Sequence, residues 1–449
     1  MLRMARDYHE GSDVCRDDLA IGSLQRPEMS RGAKSETSCG RLLILQGPVG
    51  RFFGHLARTA TASGYDVLKV QFNVADQVFQ RGGRTETFNA PMEQLPDWLD
   101  RVCANFRPDA IILFGDRRPV HIDACHIAER CGIALYAFEE GYMRPDFVTF
   151  ERGGNNARSP LPRDPSAYRS TVVAPKVVMH VKPTFAVMTV DAMATYIVAG
   201  FGRSLFPHYR HHRQRTLTSE AIYWCRNVGR RIAATRRDLK TQGRLIAQWP
   251  KRYFVVALQV HDDLQALHHG RGWSQAGLIV ATLRSFAAHA PAGTRLVFRC
   301  HPYDRGHSSH APLIRTTAAA FGISDRVDFL QTGHAPSLLA TARGFVTVNS
   351  TMSLSAMYHN CPVFALGDTF YRLSGLVAPG MDEAALDGFW NNPGTIDKAL
   401  YEAFQVVVRD RSLINGSFYR PSHWPAMSAA VLDRLQADSV FSRAERRTE

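Results

Sequence analysis

Two pairs of adjacent acidic residues stand out in this sequence because each follows an apolar, strand-like run. Glu139-Glu140 follows ALYAF, and Asp262-Asp263 comes just after YFVVALQV. A carboxylate that faces a crevice loses hydration, so its pKa rises and it can exchange a proton near neutral pH. Two such groups across a cleft can divide the work of sugar transfer, one as nucleophile and one as acid or base. The alternative is that each pair is a solvated acidic turn.

Two further motifs are suited to holding a phosphate. His301-Pro302 lies just past the run RLVFR, and Asn349-Ser350-Thr351 follows GFVTV. Proline favours an extended conformation in the residue before it, so the imidazole projects from the strand end and can donate to a phosphate oxygen. Hydroxyls at a strand-to-helix turn can cap the helix or help its N–H groups bind an anion. A loop histidine without a role and a plain helix cap are the alternatives.

A third set of residues is expected to line a substrate cleft, because its members lie at or just beyond predicted strand ends: Gly47, Gly50, Asn73, Asp116, Gly141 and Arg144. The Gly47–Gly50 loop lacks the GK[ST] ending of a P-loop, and no GxGxxG follows the first strand. No HExxH or DxD arrangement is present either. We therefore predict no metal and no cofactor.

The elements that must position these residues alternate between strands and helices. Short apolar runs and helical patterns repeat from residue 41 to about 150 and again from 253 onward, which predicts parallel βαβ units. Ligands of such sheets bind beyond the carboxyl ends of the strands. Two doubly wound, Rossmann-like domains in tandem describe a GT-B-like architecture, although a periplasmic-binding-protein shape or an epimerase gives the same pattern.

The predicted boundaries follow from these patterns. They are a mobile extension at 1–40, an N-terminal Rossmann-like domain at 41–185, a basic helical section at 186–250 that is membrane-facing or inter-domain, a C-terminal Rossmann-like domain at 251–425 and a helical, polar tail at 426–449. In a GT-B-like enzyme the first domain would take the acceptor and the second the sugar nucleotide.

Composition and charge restrict where the protein acts. The chain is 45% hydrophobic with a net charge of +13, and its eight cysteines form no CxxC pair, which indicates reduced thiols. The N-terminus lacks the apolar core of a secretory signal, and the longest apolar stretch, 186–200, is interrupted by polar residues. We expect a cytoplasmic protein without a membrane span.

The basic charge is concentrated between residues 203 and 252, a segment that contains thirteen Lys or Arg and only two acidic residues. Such a block attracts anionic lipid or nucleic acid, or is simply a solvated helical face. No nucleic-acid-binding motif accompanies it. We therefore expect peripheral association with an anionic membrane surface and no nucleic-acid partner.

At this point six stretches of the chain resemble a known family, the capsule polysaccharide biosynthesis/export proteins of the KpsS (LipB) type. The resemblance runs in order from about residue 41 to 425 and leaves out the first 40 residues. The stretches are LLILQGPVGRFF (42–53), LFGDRRPVH (113–121), AFEEGYMRPDFVTFERGGNN (137–156), LQVHDD (258–263), RCHPYDRG (299–306) and VNSTMSLSAMYHNCPV (348–363).

The resemblance implies a retaining β-Kdo (3-deoxy-D-manno-octulosonic acid) transferase. Such an enzyme uses CMP-Kdo and starts the oligo-Kdo linker of Gram-negative capsule on a phosphatidylglycerol-type lipid. It would work beside a second Kdo transferase and the capsule export complex. The implied catalytic residues are Glu139, Glu140 and Asp263, and the implied CMP-binding residues are Gln259, His301, Pro302, Asn349, Ser350 and Thr351. A non-catalytic export or assembly adaptor, and a transferase for another CMP-keto-acid sugar such as CMP-sialic acid, are the competing interpretations.

Overall fold

A computed structural model describes residues 39–171, 177–182, 184–209, 217–260 and 268–445. These residues form two separate β-sheets, and helices cover both faces of each sheet.

The first sheet has seven strands in the order β3-β2-β1-β4-β5-β6-β12. Strands β1 to β5 are parallel, while β6 and β12 are antiparallel to their neighbours. The strands are β1 (Arg41–Ile44), β2 (Asp66–Gln71), β3 (Arg84–Thr87), β4 (Ala110–Phe114), β5 (Ala134–Glu140), β6 (Phe147–Arg152) and β12 (Leu413–Asn415).

Alternation of side chains along β1 explains why helices are needed on both faces. Leu42 and Ile44 join one apolar cluster, whereas Leu43 and Leu45 join another on the opposite face. Helix α1 and the last helix cover the first face, and α3 and α4 cover the second. The helices along this part of the chain are α1 (Phe52–Ala62), α2 (Val74–Phe79), α3 (Leu95–Phe106), α4 (Pro119–Cys131) and α5 (Ser166–Arg169). The buried Tyr168 of α5 packs instead in an apolar cluster of the second sheet.

The second sheet has five parallel strands in the order β11-β10-β7-β8-β9. Its strands are β7 (Tyr253–Ala257), β8 (Arg295–Arg299), β9 (Val327–Leu330), β10 (Gly344–Thr347) and β11 (Val363–Ala365). The helices from here to the C-terminal side are α8 (Gln275–His289), α9 (Ala311–Ala320), α10 (Ala335–Thr341), α11 (Met352–Tyr358), α12 (Glu383–Asn391), α13 (Lys398–Ser412) and α14 (Trp424–Glu445).

Both sheets share one winding pattern. In each, the chain starts at a central strand, winds to one edge, and then returns to the other side of that central strand, so a switch point lies between β1 and β4 and another between β7 and β10. The predicted α/β class with two Rossmann-like sheets in a GT-B-like arrangement is confirmed.

The C-terminal part of the chain differs from the predicted boundaries. Residues 251–425 were expected to form one domain, but β12 pairs with β6 in the first sheet. Phe418, Met427 and Val431 then pack in the same cluster as Leu42 and Phe52. The apolar face of the first sheet therefore draws the end of the chain back to it.

Two helices connect the sheets, and they lie in the section that was predicted to be helical, 186–250. They are α6 (Phe185–Phe201) and α7 (Leu217–Gln248). Within the described residues, one helix, Phe185–Ser204, is long and apolar enough to cross a membrane by length and composition. This helix contains the longest apolar stretch of the sequence, 186–200, which Thr189, Asp191 and Thr195 interrupt, so the predicted absence of a membrane span stays a prediction.

Candidate functional site

The switch point of the first sheet is bridged by an arginine. Arg118, just past β4, donates from Nη1 to the carbonyl oxygen of Gly47 at 3.0 Å and to Gln46 Oε1 at 3.5 Å, so it joins the loops after β1 and β4. A Cβ on Gly47 would lie 2.5 Å from the Phe53 ring, which explains the glycine there. Gly50 has a φ of +92°, a conformation that favours glycine, and faces Asp191 of α6.

Two of the predicted cleft residues are buried beneath this edge. Asn73 caps α2, accepting the backbone N–H of Asp76 at 3.0 Å, and so serves that helix rather than an open cleft wall. Asp116 is also buried, with Nε of Arg117 and Nε of Arg158 each 3.9 Å from its carboxylate. It therefore forms an ion pair with each of these two guanidinium groups.

Arg117 also reaches the second sheet's side of the molecule. Its Nε lies 3.4 Å from Nε2 of His269, a buried residue before α8. Burial first, and then the charge of Arg117, lowers the pKa of His269 to about 4, so this imidazole is neutral at pH 7. The two halves therefore meet through a neutral histidine and an arginine, neither of which the sequence singled out.

The two acidic residues at the end of β5 have different environments. Glu139 is half-buried, and loss of hydration raises its pKa to about 7, against the opposing effects of the Glu140 backbone N–H and Arg118. The Glu140 carboxylate accepts a hydrogen bond from the Tyr419 hydroxyl at 2.7 Å. Glu139 is therefore the group poised to gain or lose a proton near neutral pH.

The glycine of this motif has a steric origin. A Cβ on Gly141 would lie 1.8 Å from the carbonyl oxygen of Phe147, where β6 begins. No side chain fits between the two strands at that point, so the tight β5–β6 turn requires glycine. The same turn presents Arg144, which is exposed and is the charge that most lowers the pKa of His301. The turn thus brings the first sheet's loops toward the histidine motif of the second sheet.

His301 is held as a neutral hydrogen-bond donor. Its Nδ1 accepts the backbone N–H of Tyr303 at 3.2 Å, which places the ring proton on Nε2. Burial, followed by the nearby charges of Arg144 and Arg299, lowers the His301 pKa to about 4. Pro302 is fixed through its carbonyl oxygen, which accepts from the Asn227 side chain of α7 at 2.8 Å.

The switch point of the second sheet is joined by an amide pair. Gln259 Nε2 donates to Asn349 Oδ1 at 2.8 Å, and the Asn349 backbone N–H donates back to Gln259 Oε1 at 3.3 Å. Ser350 Oγ accepts the backbone N–H of Met352 at 3.2 Å, and Thr351 lies at the N-cap of α11 without a side-chain cap bond. The predicted donor-binding residues of this loop are thus held together at one strand edge.

Arg299 is a charged residue that the sequence analysis did not assign. It ends β8 immediately before the histidine motif, and its Nη1 lies 3.9 Å from the sulfur of Met352, beside the Ser350-Thr351 loop. Its buried Nε has no hydrogen-bond partner among the described residues, and burial lowers its pKa. The signal was its place in the block RCHPYDRG, two residues before His301.

Two predictions fall on residues outside the described ones: the catalytic role of Asp263, and the mobile extension at 1–40, of which 1–38 are not described. Asp263, with its neighbours 261 and 262, lies outside the described residues, so its predicted role stays a prediction. Among the residues that are described, no group of three His, Cys, Asp or Glu could hold a metal ion.

Two Rossmann-like sheets define an α/β protein, with a titratable carboxyl at the strand ends of one sheet and a histidine and an arginine at the strand ends of the other. Ligands of such sheets bind beyond these ends. The family model described as capsule polysaccharide biosynthesis protein matches residues 109–419. The chain therefore belongs to the capsule polysaccharide biosynthesis protein family, and the predicted resemblance is confirmed.

Curated relatives extend the likeness over most of the chain. The capsule polysaccharide export protein KpsS of Escherichia coli is 34% identical over 380 residues, which are 84% of this chain and 97% of that protein. The capsule polysaccharide modification protein LipB of Neisseria meningitidis serogroup A is 33% identical over 398 residues, covering 86% of this chain and 94% of that protein.

Solved structures also resemble the chain at low identity. The β-Kdo 2,7 transferase KpsC of Thermosulfurimonas dismutans is 13% identical with a TM-score of 0.33, covering 77% of this chain and 99% of that chain. The UDP-GlcNAc 2-epimerase of Neisseria meningitidis, bound to UDP-GlcNAc, is 11% identical with a TM-score of 0.29, covering 82% of this chain and 99% of that chain.

Proposed function

We propose that this protein is a retaining glycosyltransferase that moves β-Kdo from CMP-Kdo to a phosphatidylglycerol-type lipid and so starts the oligo-Kdo linker of a capsular polysaccharide. The observation that carries the proposal is Glu139, whose carboxyl group has a pKa of about 7 at the carboxyl edge of the first sheet. A group with that pKa near operating pH is suited to general acid–base work. Membership of the capsule polysaccharide biosynthesis family supports the assignment.

The donor would bind along the carboxyl edge of the second sheet. The neutral His301 donates from Nε2, and Ser350 and Thr351 offer hydroxyl groups to the CMP phosphate. Arg299, beside both motifs, supplies a positive charge against the phosphate. The Gln259–Asn349 pair joins the two central loops, and on this proposal the donors would converge on the CMP phosphate.

The chemistry would proceed in two displacements at C2 of the sugar. In the first, the Asp263 carboxylate forms a bond to C2 while the bond from C2 to the phosphate oxygen breaks and CMP leaves. In the second, the acceptor hydroxyl oxygen attacks C2, the bond to Asp263 breaks, and Glu139 takes the hydroxyl proton. Two inversions restore the original anomeric configuration.

Glu139, rather than Glu140, is the proposed base. The Glu140 carboxylate already accepts the Tyr419 hydroxyl, which ties it to the loop after β12. In the part of the chain that the structure describes, the Glu139 carboxylate accepts only the adjacent Glu140 backbone N–H, and Arg118 favours its ionised form. Ionised and half-buried, it can receive a proton from an incoming hydroxyl group.

The lipid acceptor would be reached at the inner-membrane surface through the basic stretch 203–252. Part of that charge is used inside the protein: Arg230 bonds the histidine-motif loop, and Arg244 pairs with Asp328. Exposed cations of the stretch remain for an anionic surface: Arg203, Arg226, Arg231, Arg236 and Lys240. A second Kdo transferase and the capsule export complex are the proposed protein partners.

The test is a transfer reaction with CMP-Kdo and phosphatidylglycerol, in which mass spectrometry follows sugar addition. We expect wild-type transfer, and we expect His301→Ala to raise the KM for CMP-Kdo with a smaller effect on kcat. His126→Ala, on the exposed surface of α4, is the matched control and should leave both constants unchanged. Undiminished donor use by His301→Ala would refute the donor-site assignment.

Two further arms separate the competing functions. CMP-sialic acid in place of CMP-Kdo identifies a transferase for another keto-acid sugar. Failure of the wild-type protein to transfer from either donor, or to bind CMP, would support a non-catalytic export or assembly adaptor instead.

A further inference from the structure

Helix α6 exposes an uninterrupted apolar stripe that nothing in the described structure covers. We call it the outer stripe: Ala186, Val190, Met193, Ile197 and Phe201, spaced so that they follow one face of the helix. The exposed fractions are 63% at Val190, 55% at Met193, 43% at Ile197 and 85% at Phe201. The helix is predominantly apolar over its length, and almost none of it is buried inside the protein. Exposed apolar surface of this extent indicates a binding face.

The opposite face of α6 is occupied by the protein. Met188 meets the Tyr303 hydroxyl through its sulfur at 3.7 Å, and the Phe185 ring stacks on Tyr303 at 5.7 Å. Further along, a Cβ on Gly202 would lie 2.2 Å from the Val74 side chain, so the helix touches α2. Because one face is packed in this way, α6 rests on the protein and offers only its other face to a partner.

These contacts place α6 at the mouth of the candidate cleft. Tyr303 follows the His301-Pro302 motif of the second sheet, whereas Asp191 of α6 lies against Gly50 in the first loop of the first sheet. The helix therefore touches loops from both sheets. Whatever binds the outer stripe lies next to the entrance that an acceptor must use.

Helix α7 continues the surface beside α6, with the Trp224 ring 6.3 Å from the Phe185 ring. It exposes both apolar side chains and cations. The apolar ones are Ile222, Val228, Ile232 and Leu239, and the cations are Arg226, Arg231, Arg236 and Lys240. Apolar side chains flanked by arginine and lysine are typical of helices that lie in the interface of an anionic bilayer.

We infer that α6 lies in the surface of an anionic bilayer, with the outer stripe among the lipid acyl chains and the α7 cations at the headgroups. This inference rests on one part of the proposed function, namely that the acceptor is a lipid. A second copy of the chain is a poorer occupant, because pairing through this face would bring two arginine-rich helices together. An anionic membrane complements both the apolar stripe and the charge.

The inference goes beyond charge attraction, so its test must separate apolar insertion from electrostatics. The full-length protein is floated with vesicles of phosphatidylcholine alone and of phosphatidylcholine with phosphatidylglycerol. Met193→Ser/Ile197→Ser removes apolar surface without altering charge and should lower vesicle partitioning about tenfold or more. The matched control is Val406→Ser, an exposed apolar residue on α13, and its binding should equal wild type.

A second readout reports where the stripe lies. Ile197→Trp should gain fluorescence that brominated acyl chains quench, beyond any quenching of the wild-type tryptophans. Unchanged flotation of the double serine variant, or no added quenching at position 197, would overturn the inference. So would light scattering that shows a wild-type dimer which the double variant dissociates, because the stripe would then join two copies.

Failure of this inference is distinguishable from failure of the proposed function. The double serine variant should transfer sugar to a short-chain, water-soluble phosphatidylglycerol within about twofold of wild type, yet lose most transfer to the same headgroup in vesicles. Equal transfer to both acceptors would refute the docking role while leaving the transferase intact. Vesicle binding through the stripe without any transfer would refute the proposed function alone.

Discussion

Replacing Glu139 with glutamine should remove transfer and, at the same time, stabilise the fold. Burial raises the pKa of Glu139 from 4.5 to about 7, so the folded protein keeps this proton to a higher pH than the unfolded chain does. The stability that the protonated carboxyl contributes is complete below about pH 4.5 and is lost as the pH rises through about 7. At one pKa unit per 1.4 kcal/mol, ionising the buried group costs about 3 kcal/mol at pH 8 and about 1 kcal/mol at pH 5.

Glutamine has nearly the same shape and cannot ionise, so Glu139→Gln should unfold at higher denaturant concentration, and its advantage should be larger at pH 8 than at pH 5. We expect the difference between the two pH values to be about 2 kcal/mol in the free energy of unfolding. Urea unfolding at both pH values measures it. Glu129→Gln, on the exposed surface of α4, is the control and should show no pH-dependent change.

The same variant tests the proposed base. Loss of a general base lowers the rate about 100- to 10,000-fold. In the wild type, kcat/KM should fall about tenfold for each pH unit below the Glu139 pKa, because only the ionised carboxyl accepts a proton. The reasoning is refuted if Glu139→Gln transfers within tenfold of wild type, or if its gain in stability is the same at pH 5 and pH 8.

Three other substitutions test the candidate site and the backbone and hydrogen bonds that position it. Arg299→Met should raise the KM for CMP-Kdo about tenfold or more, because the phosphate loses its cationic partner. The free energy of unfolding should change little, because the substitution also removes a partly buried charge. An unchanged KM would contradict the phosphate-binding role. Gly141→Ala should lower the free energy of unfolding by about 4 kcal/mol or more, because the new Cβ meets a carbonyl oxygen. Its control is Gly388→Ala, in an exposed turn of α12 with open space, which should leave the free energy of unfolding unchanged or raise it by about 1 kcal/mol. Thermal unfolding compares the two variants. Tyr419→Phe removes the hydrogen bond to Glu140 and should lower the free energy of unfolding, measured with urea, by about 2 kcal/mol. An unchanged free energy of unfolding would show that this hydrogen bond does not stabilise the fold.

Strands buried on both faces could be predicted from the sequence because they need continuous apolar residues. The run AIILF (110–114) coincides with β4, and Ser274, a residue type that favours helix N-caps, caps α8. Strand β6 was not predicted, since it carries a buried Glu151. That carboxylate is satisfied by Tyr142 and Ser159, which are visible only in three dimensions. Strand β12 has three residues, too few for a periodic signal.

The candidate site was partly predictable for a similar reason. Its motifs lie at strand ends, and strand ends are visible in the sequence as the limits of apolar runs. Partners from distant segments are not visible in that way: Tyr419 meets Glu140 across 279 residues of chain, and His269 meets Arg117 across 152. The effect of Arg118 on Glu139 likewise depends on the winding of the sheet, which brings β4 beside β5.

The return of β12 to the first sheet also fixes the order in which the molecule can be completed during synthesis. On the ribosome, β5 and β6 emerge long before Leu413–Asn415, so β6 stays an edge strand, paired with β5 and open on its other side, through the translation of the entire second sheet. The apolar face that later receives Phe418 and Met427 is uncovered for the same interval. The first half of the gene therefore does not encode a finished domain, and a nascent chain stalled before residue 413 would present both an open strand edge and exposed apolar surface to chaperones or to other chains.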